Sequence, residues 1–99
     1  MNWENQCVEL NKGLIVKVVE GEAVIVFPKN AMITSLNASG TFIIEVLKNT
    51  SQAISYTTLF SVLLDEFDVD PNIAEADLKF FLNELYINNL ISITNNVAV

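Results

Sequence analysis

Histidine and arginine are absent from this chain of 99 residues, cysteine occurs once and glycine only three times. Without histidine there is no Ser–His or Cys–His nucleophile pair and no imidazole metal ligand. A Ser–Lys or Cys–Lys pair has its residue types present, but no spacing points to one. The lone Cys7 excludes an internal disulfide framework and reads as a spectator thiol. Three scattered glycines leave no glycine-rich phosphate loop. No apolar run reaches the ~18 uninterrupted residues of a membrane span. The start, Met-Asn-Trp-Glu-Asn-Gln, has neither the basic beginning nor the apolar middle of a signal peptide. The expected location is therefore cytoplasmic, with no membrane partner.

What is present is apolar and acidic. Hydrophobic residues make up 52% of the chain, enough for one modest core in one domain. Twelve acids face five lysines, Lys12, Lys17, Lys29, Lys48 and Lys79, for a net charge of −7. A nucleic-acid binder gains most of its affinity by neutralising phosphates with Lys and Arg, so no nucleic-acid partner is expected. Complementary potentials speed encounter and exclude wrong partners, which favours a neutral or basic one.

Residues 1 to 12 mix Asn, Gln and Glu with a few apolar side chains and read as a loosely ordered lead-in, with Trp3 able to pack onto the body. Leu14–Val19 and Ala23–Phe27 are β-branched runs of strand length around a tight turn at Glu20-Gly21. Pro28–Ala31 makes a second turn and Met32–Leu36 a third, weaker strand, completing a three-stranded antiparallel meander. That third strand is short, uncharged and free of proline, so it lacks the usual guards of a sheet edge. Asn37 caps a helix through about Lys48, with Ile43, Val46 and Leu47 at core spacing. Ser55 caps a second helix, with Leu59, Val62, Leu63 and Phe67 inward. Leu90–Ile93 reads as a short strand or packed tail, and residues 94–99 as a frayed end.

The last helix, Pro71 to Asn88, has the strongest local signals. Asp70 is an N-cap acceptor, Pro71 suits the first helical position, and Asn88-Asn89 tolerates the left-handed conformation that ends helices. At roughly 100° per residue, Ala74, Leu78, Phe81, Leu82 and Leu85 share one face. A second apolar stripe, Ile73, Ala76, Phe80 and Ile87, lies almost opposite. A surface helix in so short a chain needs one buried face, so the second is expected to be open for a partner.

The acidic run from Asp65 to Asp70 fails as a calcium loop. A loop begun at Asp68 puts Ile73 where glycine is needed and Lys79 where a bidentate Glu is needed. No metal, cofactor or catalytic activity is expected. Three strands followed by three helices is a winged-helix-like α+β order, but a recognition helix must present cations or amides to DNA. This one sets Lys79 against Glu75, Asp77 and Glu84.

Met32-Ile33-Thr34-Ser35-Leu36-Asn37, running on through Ala38 to Leu47, resembles the strand-"LN"-helix junction of the pyrroloquinoline-quinone synthesis protein D family, or RiPP recognition elements. Asp68-Val69-Asp70-Pro71, then Ala76-Asp77-Leu78 with Phe81-Leu82 and Leu85, resembles that family's final helix. The likeness covers roughly Gly13 to Ile93, which is expected to be the domain, with a lead-in over 1–12 and a tail over 94–99. The loop after Leu47 is longer than the family's and lacks its Asp-Gly, and Asn89 stands where glycine usually ends the last helix.

The resemblance implies a non-catalytic domain that binds the leader segment of a ribosomally made precursor peptide and delivers it to a maturation enzyme or leader peptidase. It places the leader as an added strand along Met32, Ile33, Thr34, Ser35 and Leu36, facing Ala76, Asp77, Phe80, Phe81 and Glu84. Asp77 and Glu84, at the rim, would favour a leader carrying lysine or arginine. A monomer or weak homodimer is expected. The competing readings are a homodimeric structural protein built on the same strand and helix face, and an acidic adaptor that docks mainly to an enzyme.

Overall fold

A computed structural model describes residues 2–27, 32–35, 37–50 and 52–95. Leu36, the expected turn at 28–31 and the tail at 96–99 lie outside the described residues. A 3-10 turn, Trp3–Asn5, leads into β1 (Gln6–Leu10). Strands β2 (Ile15–Val19), β3 (Glu22–Phe27) and β4 (Met32–Ser35) follow, then helix α1 (Ala38–Asn49). The two-residue β5 (Ile54–Ser55), helices α2 (Tyr56–Glu66) and α3 (Pro71–Ile87), and β6 (Ile91–Asn95) complete the order. Mixed α+β architecture, antiparallel strands and three helices agree with the expectation from sequence.

The meander forms, in the order β2-β3-β4. Glu20 and Gly21 both take positive φ, 52° and 83°, at the hairpin between β2 and β3. Two left-handed residues in succession match the right-handed twist of the strands they join. The hydroxyl of Thr41 on α1 accepts from the backbone N–H of Ala23 at 2.8 Å, a buried bond that fastens the sheet to the helix.

A second sheet, β5-β1-β6, departs from the expected lead-in. Residues 3–10 are not a loose preface. β1 pairs along its whole length with β6, from Gln6 opposite Asn95 to Leu10 opposite Ile91. Trp3 is buried and Val8 is fully buried in the core. The cause is tertiary: Trp3, Val8 and Leu10 supply the apolar contacts, and the ladder partners lie more than 80 residues away. Thr94 and Asn95, expected to be frayed, are the last rungs of that ladder.

The helices start where their caps dictate. Asn37 accepts from the Gly40 N–H, Ser55 from the Thr58 N–H, and Asp70 from the Asn72 and Ile73 N–H groups. Each bond satisfies a donor that the first helical turn leaves without an intrahelical partner. Asn89, at φ 61°, turns the chain out of α3, and Leu90 N–H then donates to the Leu85 carbonyl at 2.8 Å. The single core gathers Ile25 of β3, Ile43 and Ile44 of α1, Leu59 and Leu63 of α2, and Leu78, Leu82 and Leu85 of α3. Among the described residues no helix is long and apolar enough to cross a membrane.

Candidate functional site

Helix α3 presents three different sides. Its inward side, Ala74, Leu78, Leu82 and Leu85, is buried. Its second flank carries Lys79, whose ammonium reaches Glu4 at 3.1 Å and Glu75 at 3.8 Å and sits 5.9 Å from the ring centre of Tyr56. This clasp ties the start of the chain to α3. A backbone hydrogen bond at Glu4 and the Lys79 ammonium hold the Glu4 carboxyl below its ordinary range. Burial, with Glu75 and Glu4 nearby, pushes the Tyr56 hydroxyl up to about 12.

The third flank is open. Ile73 is 61% and Phe80 70% exposed, where the second apolar stripe was expected to be uncovered. Ile87 on the same stripe is exposed as well. Ile73, Asp77, Phe80 and Phe81 wall a groove of about 440 Å³. Its opposite walls come from Asn37, Ser39, Gly40 and Ile43 at the start of α1 and from Leu63, Phe67 and Val69 around the end of α2. The groove draws on both stripes of α3, from Phe80 on the outer one to Ala74 and Leu78 on the inner one, an arc of roughly 160° at 100° per residue.

The lining is mostly carbon, with Asp77 its one charged residue among those described. Asp77 makes no ion pair among the described residues. Lys79 lies roughly 160° around the helix from it, engaged on the clasp side. There is no group of three His, Cys, Asp or Glu among the described residues that could hold a metal ion.

Among the described residues β4 pairs with β3 alone, Val24 opposite Ser35 through Phe27 opposite Met32. It forms one edge of its sheet among the described residues. The chain passes from that edge to the wall of the groove within two residues, from Ser35 to Asn37.

Of the residues expected at the site, Asp77, Phe80 and Phe81 meet in the groove, and Met32, Ile33, Thr34 and Ser35 supply the backbone of the edge strand. Leu36 lies outside the described residues. Ala76 and Glu84 are exposed but do not line the groove. Ala76 is turned past Phe80 toward solvent, and Glu84 is about 6 Å further along the axis, at 1.5 Å per residue. Sequence reasoning missed Ile43, Leu63, Phe67 and Val69 as walls. The first three had been assigned to the core, and their local periodicity carries no mark of a groove. Val69 had a usable signal: an exposed apolar residue in an otherwise acidic turn.

Comparison with solved structures finds the same fold. "TbiB1 in Complex with the TbiA(beta) Leader Peptide" has a TM-score of 0.73 at 20% identity, covering 85% of this chain and 94% of that one. "Lasso peptide synthetase B1 complexed with the leader peptide" has a TM-score of 0.69 at 19% identity, covering 86% and 96%. The PqqD portion of Methylobacterium extorquens PqqCD, described as a functional stand-alone RiPP recognition element, has a TM-score of 0.66 at 22% identity, covering 87% and 88%. No curated protein sequence matches the chain. Residues 22–91 match the family described as Coenzyme PQQ synthesis protein D (PqqD), a span running from β3 through α3 into β6, and the chain belongs to that family.

Proposed function

We propose that the protein is a non-catalytic carrier of the leader segment of a ribosomally made precursor peptide. The observation that supports this reading most is an apolar groove whose outer wall, Ile73 and Phe80, is exposed, and whose opposite wall includes Asn37, two positions after the last residue of the edge strand β4. An extended peptide added to β4 gains main-chain hydrogen bonds from the edge and places alternate side chains in pockets, which supplies specificity. Met32, Ile33, Thr34, Ser35 and Leu36 provide the ladder in this reading, and Asp77, Phe80 and Phe81 provide the groove. Ala76 and Glu84 lie at its outer margin. The bound leader is then delivered to a maturation enzyme or leader peptidase in the cytoplasm, by a monomer or weak homodimer.

Fully burying one large apolar side chain is worth about 1.5–3 kcal/mol. Phe80→Ser is therefore expected to weaken binding roughly ten- to a hundred-fold. Folding stability should stay within about 0.5 kcal/mol, because the ring is a surface residue of the free protein. Anisotropy titration of a labelled leader peptide against both chains measures the first effect, and urea denaturation the second. Equal affinities would remove Phe80 from the site.

A further inference from the structure

The groove has a charged end. Phe67 and Val69 form walls both of the apolar groove and of a second concavity of about 420 Å³, lined by Asp65, Glu66 and Asp68. Those three carboxylates and Asp77 line the two spaces, with no lysine in either lining among the described residues. The described lysine of α3 is turned to the opposite flank and held by Glu4 and Glu75.

The placement of two of them, Asp65 and Glu66, runs against helix electrostatics. Asp65 and Glu66 occupy the last turn of α2, which contains no basic residue. The carbonyls there already make that end partially negative, so a carboxylate at the C-terminus of a helix is unfavourable. Asp70, by contrast, serves the fold, because it caps α3 through the Asn72 and Ile73 N–H groups. Asp65, Glu66 and Asp68 make no ion pair among the described residues. A local choice that conflicts with the element carrying it is where a functional demand is expected.

Resting on the leader-carrier reading, we infer that the peptide segment taken by this groove carries a lysine or arginine beside its apolar anchor. The anchor fills the space between Ile73 and Phe80, and the cation settles over the last turn of α2 among Asp65, Glu66 and Asp68. A cation there meets carboxylates and the outward-facing carbonyls of the helix end together, the favourable polarity for a C-terminus. A leader with an acidic residue at that place is repelled, so the same groups exclude wrong peptides as well as hold right ones.

The test is a random-peptide display selection on the full chain and on a variant carrying Asp65→Asn, Glu66→Gln and Asp68→Asn. The wild-type chain is expected to enrich sequences with a large apolar residue flanked by Lys or Arg, and the variant to keep the apolar preference while losing the cation. A selected peptide with its Lys replaced by Gln should bind the wild-type chain about fivefold more weakly. That difference should shrink in high salt and vanish in the variant. The variant should melt at or above the wild-type temperature, since it sheds unfavourable charge. Enrichment without a cation, a cation preference that survives in the variant, or a variant that melts below wild type would overturn this inference alone. Failure of the wild-type chain to enrich any peptide would overturn the carrier reading, and this inference with it.

Discussion

Two flanks of one helix, α3, carry similar side chains to opposite fates. Ala74, Leu78, Leu82 and Leu85 are nearly or fully buried, while Ile73 and Phe80, on the same seventeen-residue helix, are mostly exposed. Both sets are apolar, so hydrophobicity alone does not decide which is core. The neighbours decide. α2 and β6 close over the inward side, but α2 ends at Glu66 and the chain turns through Phe67 and Val69 before α3 begins. The turn leaves a gap beside the first three turns of α3 instead of filling it. One flank holds the protein together, and the other is available to something else.

The comparison breaks most visibly on the inward side. Leu82 is fully buried, and Leu82→Ala should cost about 2–5 kcal/mol by lost burial plus the cavity left behind. Urea denaturation would measure this, and the contrast with the near-neutral Phe80→Ser is the sharpest statement of the difference between flanks. A loss below about 1 kcal/mol at Leu82 would mean that the core collapses readily around α3.

The clasp flank gives the next effect, through pH. Tyr56 is held at about 12 in the folded protein against an ordinary 10.0. The unfolded chain therefore loses the phenolic proton first, and rising pH favours unfolding. This contribution is fully present below pH 10 and lost as pH climbs toward about 12. The two-unit displacement corresponds to about 2–3 kcal/mol. Tyr56→Phe should lack this alkaline loss. At neutral pH it should match or slightly exceed wild-type stability, because the buried hydroxyl has no hydrogen-bond partner among the described residues. Denaturation across pH 8–12, a range chosen to bracket about 10 and 12, checks both parts.

The smallest effect sits where the flanks begin. Asp70 accepts two N–H groups at the start of α3, and Asp70→Ala should cost about 1 kcal/mol. Because the same turn carries Ile73, the groove should suffer with it. Loss of leader affinity beyond what the stability change explains would show that the cap also positions the groove wall.

Local chemistry made much of this fold legible. Asn37, Ser55 and Asp70-Pro71 announced the helix starts, Glu20-Gly21 the hairpin, and Asn89 the end of α3, because each signal acts within a few residues of itself. The β1–β6 ladder was not legible, since a strand as mixed as Gln6–Leu10 has no partner in its own neighbourhood. The candidate site divides in the same way. Phe80 stood out through the periodicity of one helix, whereas that periodicity put Phe81 on the core face, and Asp77 and Phe81 were expected at the site through the family resemblance. Leu63, Phe67 and Ile43 did not stand out, because a groove is a property of three elements meeting. Ala76 and Glu84 were expected through the family resemblance; Ala76 is turned past Phe80 toward solvent and Glu84 stands about 6 Å beyond Phe80 along the axis.

The pairing of Gln6 with Asn95 has a practical side. Backbone entering the domain and backbone leaving it lie about 5 Å apart, the spacing of neighbouring strands. A host polypeptide accepts such a unit in a surface loop without being stretched, its own termini staying where they were.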